Sequence, residues 1–425
     1  MKSIILKINK YVYYGWIIVF ISGIALFMSA PGQTYSISVF INAYQDEFAY
    51  SSTVISSAYS IATTISGVML ILMGRFVDKY GQRRMLIIVG LLLAAATFFN
   101  SFVSGIVMIF IGFFLLRYFG QGSMTLIPNS LVPQWFEKKR ALAISLATIG
   151  GLIGTLIIPS FNYWLITEIG WQSAWRIWSL ILIVAFVPLV LLFIVDRPED
   201  IGLMVENEKL SSEKEIKKAI EKTNRESFTL SETIKTKEFW FVGFISMVPS
   251  MFSTGTTFHF FRIMELRNVT NESAAMIIGL IALPAFFIPF IAKPVIDKYK
   301  VKYILSFTLS MTILSMLFLM VGVTNQFLAI AFILFYGFGV AIQAVSLNVL
   351  WPNYFGRNNL GSIRGAATVF MVIGSALGPL PFGASYDLTG NYNIAIFSMV
   401  IYTSITLVLS FFIKKPTRKY IENFN

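Results

Sequence analysis

One stretch of this chain occurs twice, about half the chain apart and both times among long apolar runs. Gly74-Arg75-Phe76-Val77-Asp78-Lys79-Tyr80 is echoed by Lys293-Pro294-Val295-Ile296-Asp297-Lys298-Tyr299, which places Asp297 219 positions after Asp78. The same offset carries Pro133-Gln134-Trp135-Phe136 onto Pro352-Asn353-Tyr354-Phe355 and Asn129 onto Asn348. An offset of 224 then carries Arg140 onto Arg364, Gly150 onto Gly374 and Gly154 onto Gly378. A duplicated membrane bundle has a natural cleft near the bilayer midplane between its halves, and such a cleft is what a rocking transporter needs.

That the setting is a membrane follows from composition. With 56% hydrophobic and only 13% charged residues, a chain of 425 residues is not an ordinary soluble protein. Stretches of roughly 20 apolar residues, enough to cross a hydrocarbon core of about 30 Å as helix, recur about a dozen times. They fall near residues 14–42, 53–74, 85–104, 106–132, 141–166, 172–195, 239–262, 273–293, 303–323, 326–350, 365–386 and 391–413. The first has no small-residue cleavage pattern after it and reads as a retained helix.

The net charge of +12 invites a nucleic-acid reading, and the placement of the cations removes it. Lysines and arginines gather at Lys2, Lys7 and Lys10, at Arg75, Lys79, Arg83 and Arg84, at Lys138, Lys139 and Arg140, at Lys298, Lys300 and Lys302, at Arg357 and Arg364, and at Lys414, Lys415, Arg418 and Lys419. These clusters occupy alternate connections, the positive-inside pattern, which puts both termini and the central loop in the cytoplasm. Asp46, Glu47, Glu168 and Asp387 lie on the opposite connections, with Arg262 and Arg267 as basic exceptions.

Three segments follow: a six-helix bundle over 1–195, a densely charged cytoplasmic linker over 196–238, and a second six-helix bundle with a short tail over 239–425. Mixed-sign charge in the linker suits a tether with a solvated helix. Zero cysteines rule out disulfides and thiolate metal sites, and a single histidine makes zinc or haem improbable, so no metal and no cofactor is expected. No Gly-x-x-x-x-Gly-Lys-Ser/Thr motif is present, so direct ATP hydrolysis is not expected either. No nucleophile, base and orienting group pair up on sequence, so the chain does not read as an enzyme.

Gly74 and Asp78, four apart, share one helical face, and Lys79, Gly81, Arg83 and Arg84 complete a short basic loop. This run resembles the loop motif of the major facilitator superfamily, Gly-x-x-x-Asp-Arg/Lys-x-Gly-x-Arg-Arg, and Asp297 and Lys298 repeat its core. The resemblance implies two pseudo-symmetric six-helix bundles, and a conformational switch formed by Gly74, Asp78, Lys79, Gly81, Arg83, Arg84, Asp297 and Lys298. Trp135-Phe136-Glu137-Lys138-Lys139-Arg140-Ala141-Leu142-Ala143, with Gly150 and Gly154 beyond it, resembles the fifth-span signature of monocarboxylate transporters. Tyr14-Gly15-Trp16 and Ser36-Ile37-Ser38-Val39-Phe40 resemble that family's first span, a layout shared with the oxalate/formate antiporters. The chain also departs from the pattern. Tyr35 stands where those transporters carry a lysine, and their eighth-span arginine and aspartate fall on Pro289 and Ala285, or on Lys293 and Pro289 in a shifted alignment.

Residues that can meet a solute are few. Arg117 lies near the middle of the fourth span, where a charge costs about 2.5–3.5 kcal/mol on insertion scales. It is either a carboxylate anchor or a donor to neighbouring backbone, and with Gly120, Gln121 and Gly122 it resembles the Arg-x-x-x-Gly motif of other facilitators. His259, in the outer half of the seventh span, is either a proton carrier and carboxylate partner or a neutral imidazole bonded to a hydroxyl. Gln121, Asn129, Gln343, Ser346 and Asn348 offer neutral hydrogen-bonding groups, as do Gln33, Tyr35 and Tyr59, and interhelical bonding explains any of them as well. Pro31-Gly32 supplies the helix irregularity that accompanies such sites.

The expectation is an all-α carrier of about twelve spans in the cell membrane, monomeric, moving a small organic anion of the monocarboxylate type by alternating access. A coupled proton or an exchanged anion would drive it. An exporter of amphiphilic or drug-like compounds and a non-transporting solute sensor are the alternatives.

Overall fold

The computed structural model describes residues 9, 12–136, 139–201, 228–284, 287–288, 298–321, 326–355 and 360–416. Asp297 and most of the 196–238 linker lie outside these residues, as do the side chains of Asp78, Arg140, Asn348 and Arg364. All regular structure among the described residues is helical. Lipid offers no hydrogen bonds, so a chain this apolar must satisfy its backbone within each segment.

The chain opens with α1 (Gly15–Met28), which stops at one 3₁₀ turn, Ala30–Gly32, before α2 (Thr34–Phe48) carries on. Pro31 has no N–H to continue the ladder, and Gln33 is extended (φ −82°, ψ 147°), so the backbone is locally opened here. The span expected at 14–42 is thus two helices and runs on to Phe48, where Ala49 turns left-handed. Helix α3 (Ser52–Tyr80) is capped by Ser51, whose side chain accepts from Val54 N–H at 3.3 Å. It runs past the expected end at 74, so the Gly74-to-Asp78 motif is helical. The turn to α4 (Gln82–Asn100) is Gly81 alone, at φ 85°.

The fourth span consists of α5 (Ile106–Leu115), a π-helical turn over Leu116–Ser123, and α6 (Met124–Trp135). The long α7 (Arg140–Ile181) breaks at Gly170 (φ 79°, ψ 158°), and a second π-helical turn, Leu182–Phe186, joins it to α8 (Val187–Phe193). Beyond the linker, α9 (Leu230–Ile234) begins with a Thr229/Glu232 capping box. There follow α10 (Lys237–Phe258), α11 (Phe260–Glu265), α12 (Asn271–Leu280), α13 (Val301–Val321), α14 (Gln326–Phe355), α15 (Leu360–Leu377), α16 (Pro379–Thr389) and α17 (Asn393–Phe411).

Among the described residues nine helical stretches are long and apolar enough to cross a membrane. Gly170 divides Leu142–Phe193 into two, and the 22-residue α10 and the shorter apolar α12 stand where two further spans are expected, the second of which continues outside the described residues.

By contacts the chain forms two compact units. The first holds residues 12–201 with Thr257–Arg262 and Thr270–Ala282; the second holds residues 228–256, Ile263–Val269 and the described residues from 283 onward. In the first, α1 lies along α7 so closely that a Cβ on Gly150 would run into the carbonyl of Gly23. Lipid gives no hydrophobic drive between helices, and close backbone approach at small residues supplies the van der Waals contact instead. The second unit repeats the device: a Cβ on Gly374 of α15 would sit 2.9 Å from the Met247 carbonyl of α10. Its core joins Phe239, Val242 and Ile245 of α10 to Leu350, Trp351 and Phe355 of α14.

Candidate functional site

The interruption of the first span and the π-helical turn of the fourth meet. Gly32 lies against Gly120 and the Leu116 carbonyl, a contact with no room for a side chain on either glycine. Opening the first helix leaves the Gly32 carbonyl without an intrahelical partner, and the π turn directs Arg117 to it. Arg117 is 3% exposed. Its Nη1 donates to Gly32 O and to Thr34 Oγ1, both at 3.3 Å, and its Nε donates to Thr63 Oγ1 at 3.1 Å. The guanidinium carbon lies 5.0 Å from the centre of the Tyr59 ring, and the Tyr59 hydroxyl meets Thr34 Oγ1 at 2.8 Å.

Every acceptor here is neutral. Among the described residues Arg117 has no carboxylate partner, and its Nη2 nitrogen makes no hydrogen bond. A buried cation without a counter-charge is costly, and removal of the local water strengthens its pull on any anion that reaches it. Chemically, the arrangement can hold one carboxylate on a cationic fork ringed by hydroxyls.

The other expected residues each have surroundings of their own. Tyr59 is fully buried, its ring 5.5 Å from Phe113 and 4.4 Å from Phe258. Gln33 Nε2 donates to Ser29 Oγ at 2.9 Å, and the Tyr35 hydroxyl bonds Thr155, facing Gly154 on α7. Gln121 shares the π turn with Arg117 and is half-buried. Asn129 lies farther along α6, is exposed, and is not brought to the arginine. His259, 3% exposed, meets Ser56 Oγ through Nε2 at 2.9 Å, and three residues on Arg262 pairs with Asp46 at 3.5 Å. In the second unit Gln343 is fully buried: its Nε2 donates to Ile245 O at 3.0 Å and its Oε1 has no partner among the described residues. Ser346 donates to Ile342 O within its own helix.

Of the loop motif, Gly74 is helical, Lys79 lies over the ring of Tyr80 at 5.2 Å, and Lys298 lies over Tyr299 at 5.5 Å. Arg84 is exposed. Gly81 makes room for Asp196, whose Oδ1 accepts from Arg83 N–H at 2.6 Å; Arg83 Nη2 donates to Leu191 O at 2.7 Å. Asp196 thus serves as a cap for α4 supplied from the end of the sixth span.

Sequence reasoning passed over Thr34, Thr63, Ser56 and Asp196. Ser56 and Thr63 were within reach, since with Tyr59 they make a polar stripe at helical spacing along an apolar span. Nothing in the sequence marked Asp196, which reads as the first charge of a tether.

Known membrane transporters share the sequence pattern and the fold of this chain. The Major Facilitator Superfamily profile matches residues 15–379. Monocarboxylate transporter 2 of Rattus norvegicus is 23% identical over 428 residues, covering 96% of this chain and 86% of that protein. Monocarboxylate transporter 14 of Mus musculus is 26% identical over 161 residues, and riboflavin transporter RibJ of Trypanosoma cruzi 26% over 166; each alignment covers 38% of this chain, and 31% and 35% respectively of those proteins. The chain therefore spans about a third of the length of those two relatives. In fold it is similar to a bacterial homolog of the human lysosomal transporter Spinster, solved inward-facing and unoccupied, with a TM-score of 0.69 at 12% identity over 94% of this chain and 97% of that one. A profile matched over most of its length and a shared architecture establish that the chain belongs to the Major Facilitator Superfamily of membrane transporters.

Proposed function

We propose that the protein is a secondary active transporter that moves a small monocarboxylate-type anion across the cell membrane by alternating access, coupled to a proton or to an exchanged anion. One observation carries this reading: the guanidinium of Arg117 is buried among neutral oxygens, with no carboxylate partner and no hydrogen bond at Nη2 among the described residues. A carboxylate oxygen at Nη2 supplies the missing charge, and Thr34, Thr63 and Tyr59 hold the guanidinium plane in position for it. Proteins named monocarboxylate transporters among its relatives support the same solute class. Because this chain has Tyr35 at the family's lysine position, the anion's charge rests on Arg117.

Binding energy realised more fully in one facing state than in the other shifts the balance between the two states. Purified protein in liposomes, loaded with unlabelled L-lactate and assayed for counterflow of labelled L-lactate and pyruvate, tests the reading. Saturable exchange that disappears in Arg117→Ala supports it. Full exchange by Arg117→Ala, or none by the wild type, overturns it.

A further inference from the structure

Between the two polar contacts on α3 lies a third hydroxyl that neither of them uses. Ser56, Ser60 and Thr63 stand at positions i, i+4 and i+7, hence on one face of the helix. Ser56 meets the His259 imidazole at 2.9 Å and Thr63 accepts from Arg117 Nε at 3.1 Å. Ser60, between them, is 4% exposed and its Oγ has no hydrogen-bond partner among the described residues. Rises of about 6 Å and about 4.5 Å separate the three along the axis, each longer than a direct hydrogen bond, so a relay along them needs one water at each step. Tyr59, Phe113 and Phe258 pack around the same stretch with ring centres 4.4–6.4 Å apart, so the polar line has an apolar sheath.

Resting on the proposed carboxylate transport, we infer that Ser56, Ser60 and Thr63 form a proton path from His259 to the solute held at Arg117. In a transfer, the N–H bond of the imidazolium breaks as its proton passes to Ser56 Oγ. Ser56 gives its own hydroxyl proton to a bridging water, the water gives one to Ser60, and the next water carries one on to Thr63. Thr63 Oγ1 already accepts the Arg117 Nε–H, which leaves its hydroxyl hydrogen to donate. The last step forms an O–H bond on the carboxylate: one N–H is exchanged for one O–H, with no redox change and every hydroxyl restored.

The charged and titratable groups on the elements around this line are Tyr35, Tyr44, Asp46 and Glu47 on α2, Tyr59, Arg75, Asp78, Lys79 and Tyr80 on α3, Arg117 and Tyr118 in the fourth span, Lys237 and Glu238 on α10, and Arg262 and Glu265 on α11 beyond the imidazole. Glu47 is engaged by Trp171 Nε1 at 2.6 Å and Asp46 by Arg262. His259 is therefore the group on the line whose ordinary pKa lies nearest neutrality.

Ser60 is a positioning residue in this scheme and touches no solute, which separates coupling from binding. In proteoliposomes, Ser60→Ala is expected to keep L-lactate counterflow within about twofold of wild type while uphill uptake driven by a pH gradient falls at least tenfold. Ser60→Thr, which keeps a hydroxyl, restores the uptake, and His259→Gln flattens its pH profile. Gradient-driven uptake by Ser60→Ala equal to wild type overturns the proton path and leaves the transport reading intact. Absence of lactate counterflow in the wild type overturns both.

Discussion

The two units are related by a repeat, and they differ where it matters. The 219-residue offset carries Thr34 to Ser253 and Arg117 to Tyr336. The partnership survives the copy, because Tyr336 bonds Ser253 as Arg117 bonds Thr34. The charge does not survive. In the first unit a cation lies over the Tyr59 ring among neutral acceptors; in the second a neutral phenol, 3% exposed, packs edge-on to Phe252 at 5.3 Å and stacks on Phe332 at 5.7 Å. One backbone pattern thus serves an electrostatic task in one copy and a packing task in the other. The proposed carboxylate solute would draw on the charge of the first unit alone.

The largest expected effect tests that asymmetry directly. Arg117→Ala should lower lactate uptake about 100-fold or more with surface expression unchanged, because each hydrogen bond to a charged group contributes about 1.5–3 kcal/mol. Tyr336→Phe should change uptake by no more than about threefold, since it removes one bond between neutral groups. Equal losses in the two would mean that charge is not what distinguishes the units. Arg117→Lys should fall between, about tenfold below wild type, keeping the charge and losing the planar fork.

Packing offers the next comparison. Gly150→Val should destabilise the purified protein by about 1–3 kcal/mol, because the new methyls meet the Gly23 carbonyl. Gly374→Val should cost less, its nearest neighbour Met247 O being farther off. Melting curves in detergent would rank the pair. The smallest expected effect is at the loop: Asp196→Ala removes the carboxylate that caps α4, worth about 1 kcal/mol, whereas the repeat-equivalent Lys415→Ala should be silent. A silent Asp196→Ala would show that the cap is not needed.

Much of the architecture was legible because it rests on patterns that survive in one dimension. Apolar length marks spans, Gly150/Gly154 and Gly374/Gly378 mark close helix contacts, and a lone arginine in mid-span marks itself by its cost. The surroundings of Arg117 were less legible. Which carbonyl it reaches depends on Pro31 interrupting the first span, which the sequence marks, and on a π turn that adds one residue to the fourth, which helix propensity does not encode. Thr34 and Thr63 are ordinary span hydroxyls until those two distortions aim the guanidinium between them. Asp196 shows the converse case: a residue distant in sequence and read as part of a linker is drawn back to Gly81 because only a glycine there leaves the space.

The central claim is that one buried cation, Arg117, selects a solute by its negative charge. The most direct measurement compares L-lactate with lactamide, its uncharged isostere, as thermal stabilisers of the purified protein, since binding to the folded state raises the melting temperature by mass action. Saturable stabilisation by lactate, none by lactamide, and loss of the lactate effect in Arg117→Ala are the expected results. Equal stabilisation by lactamide, or an undiminished lactate effect in Arg117→Ala, would contradict the claim.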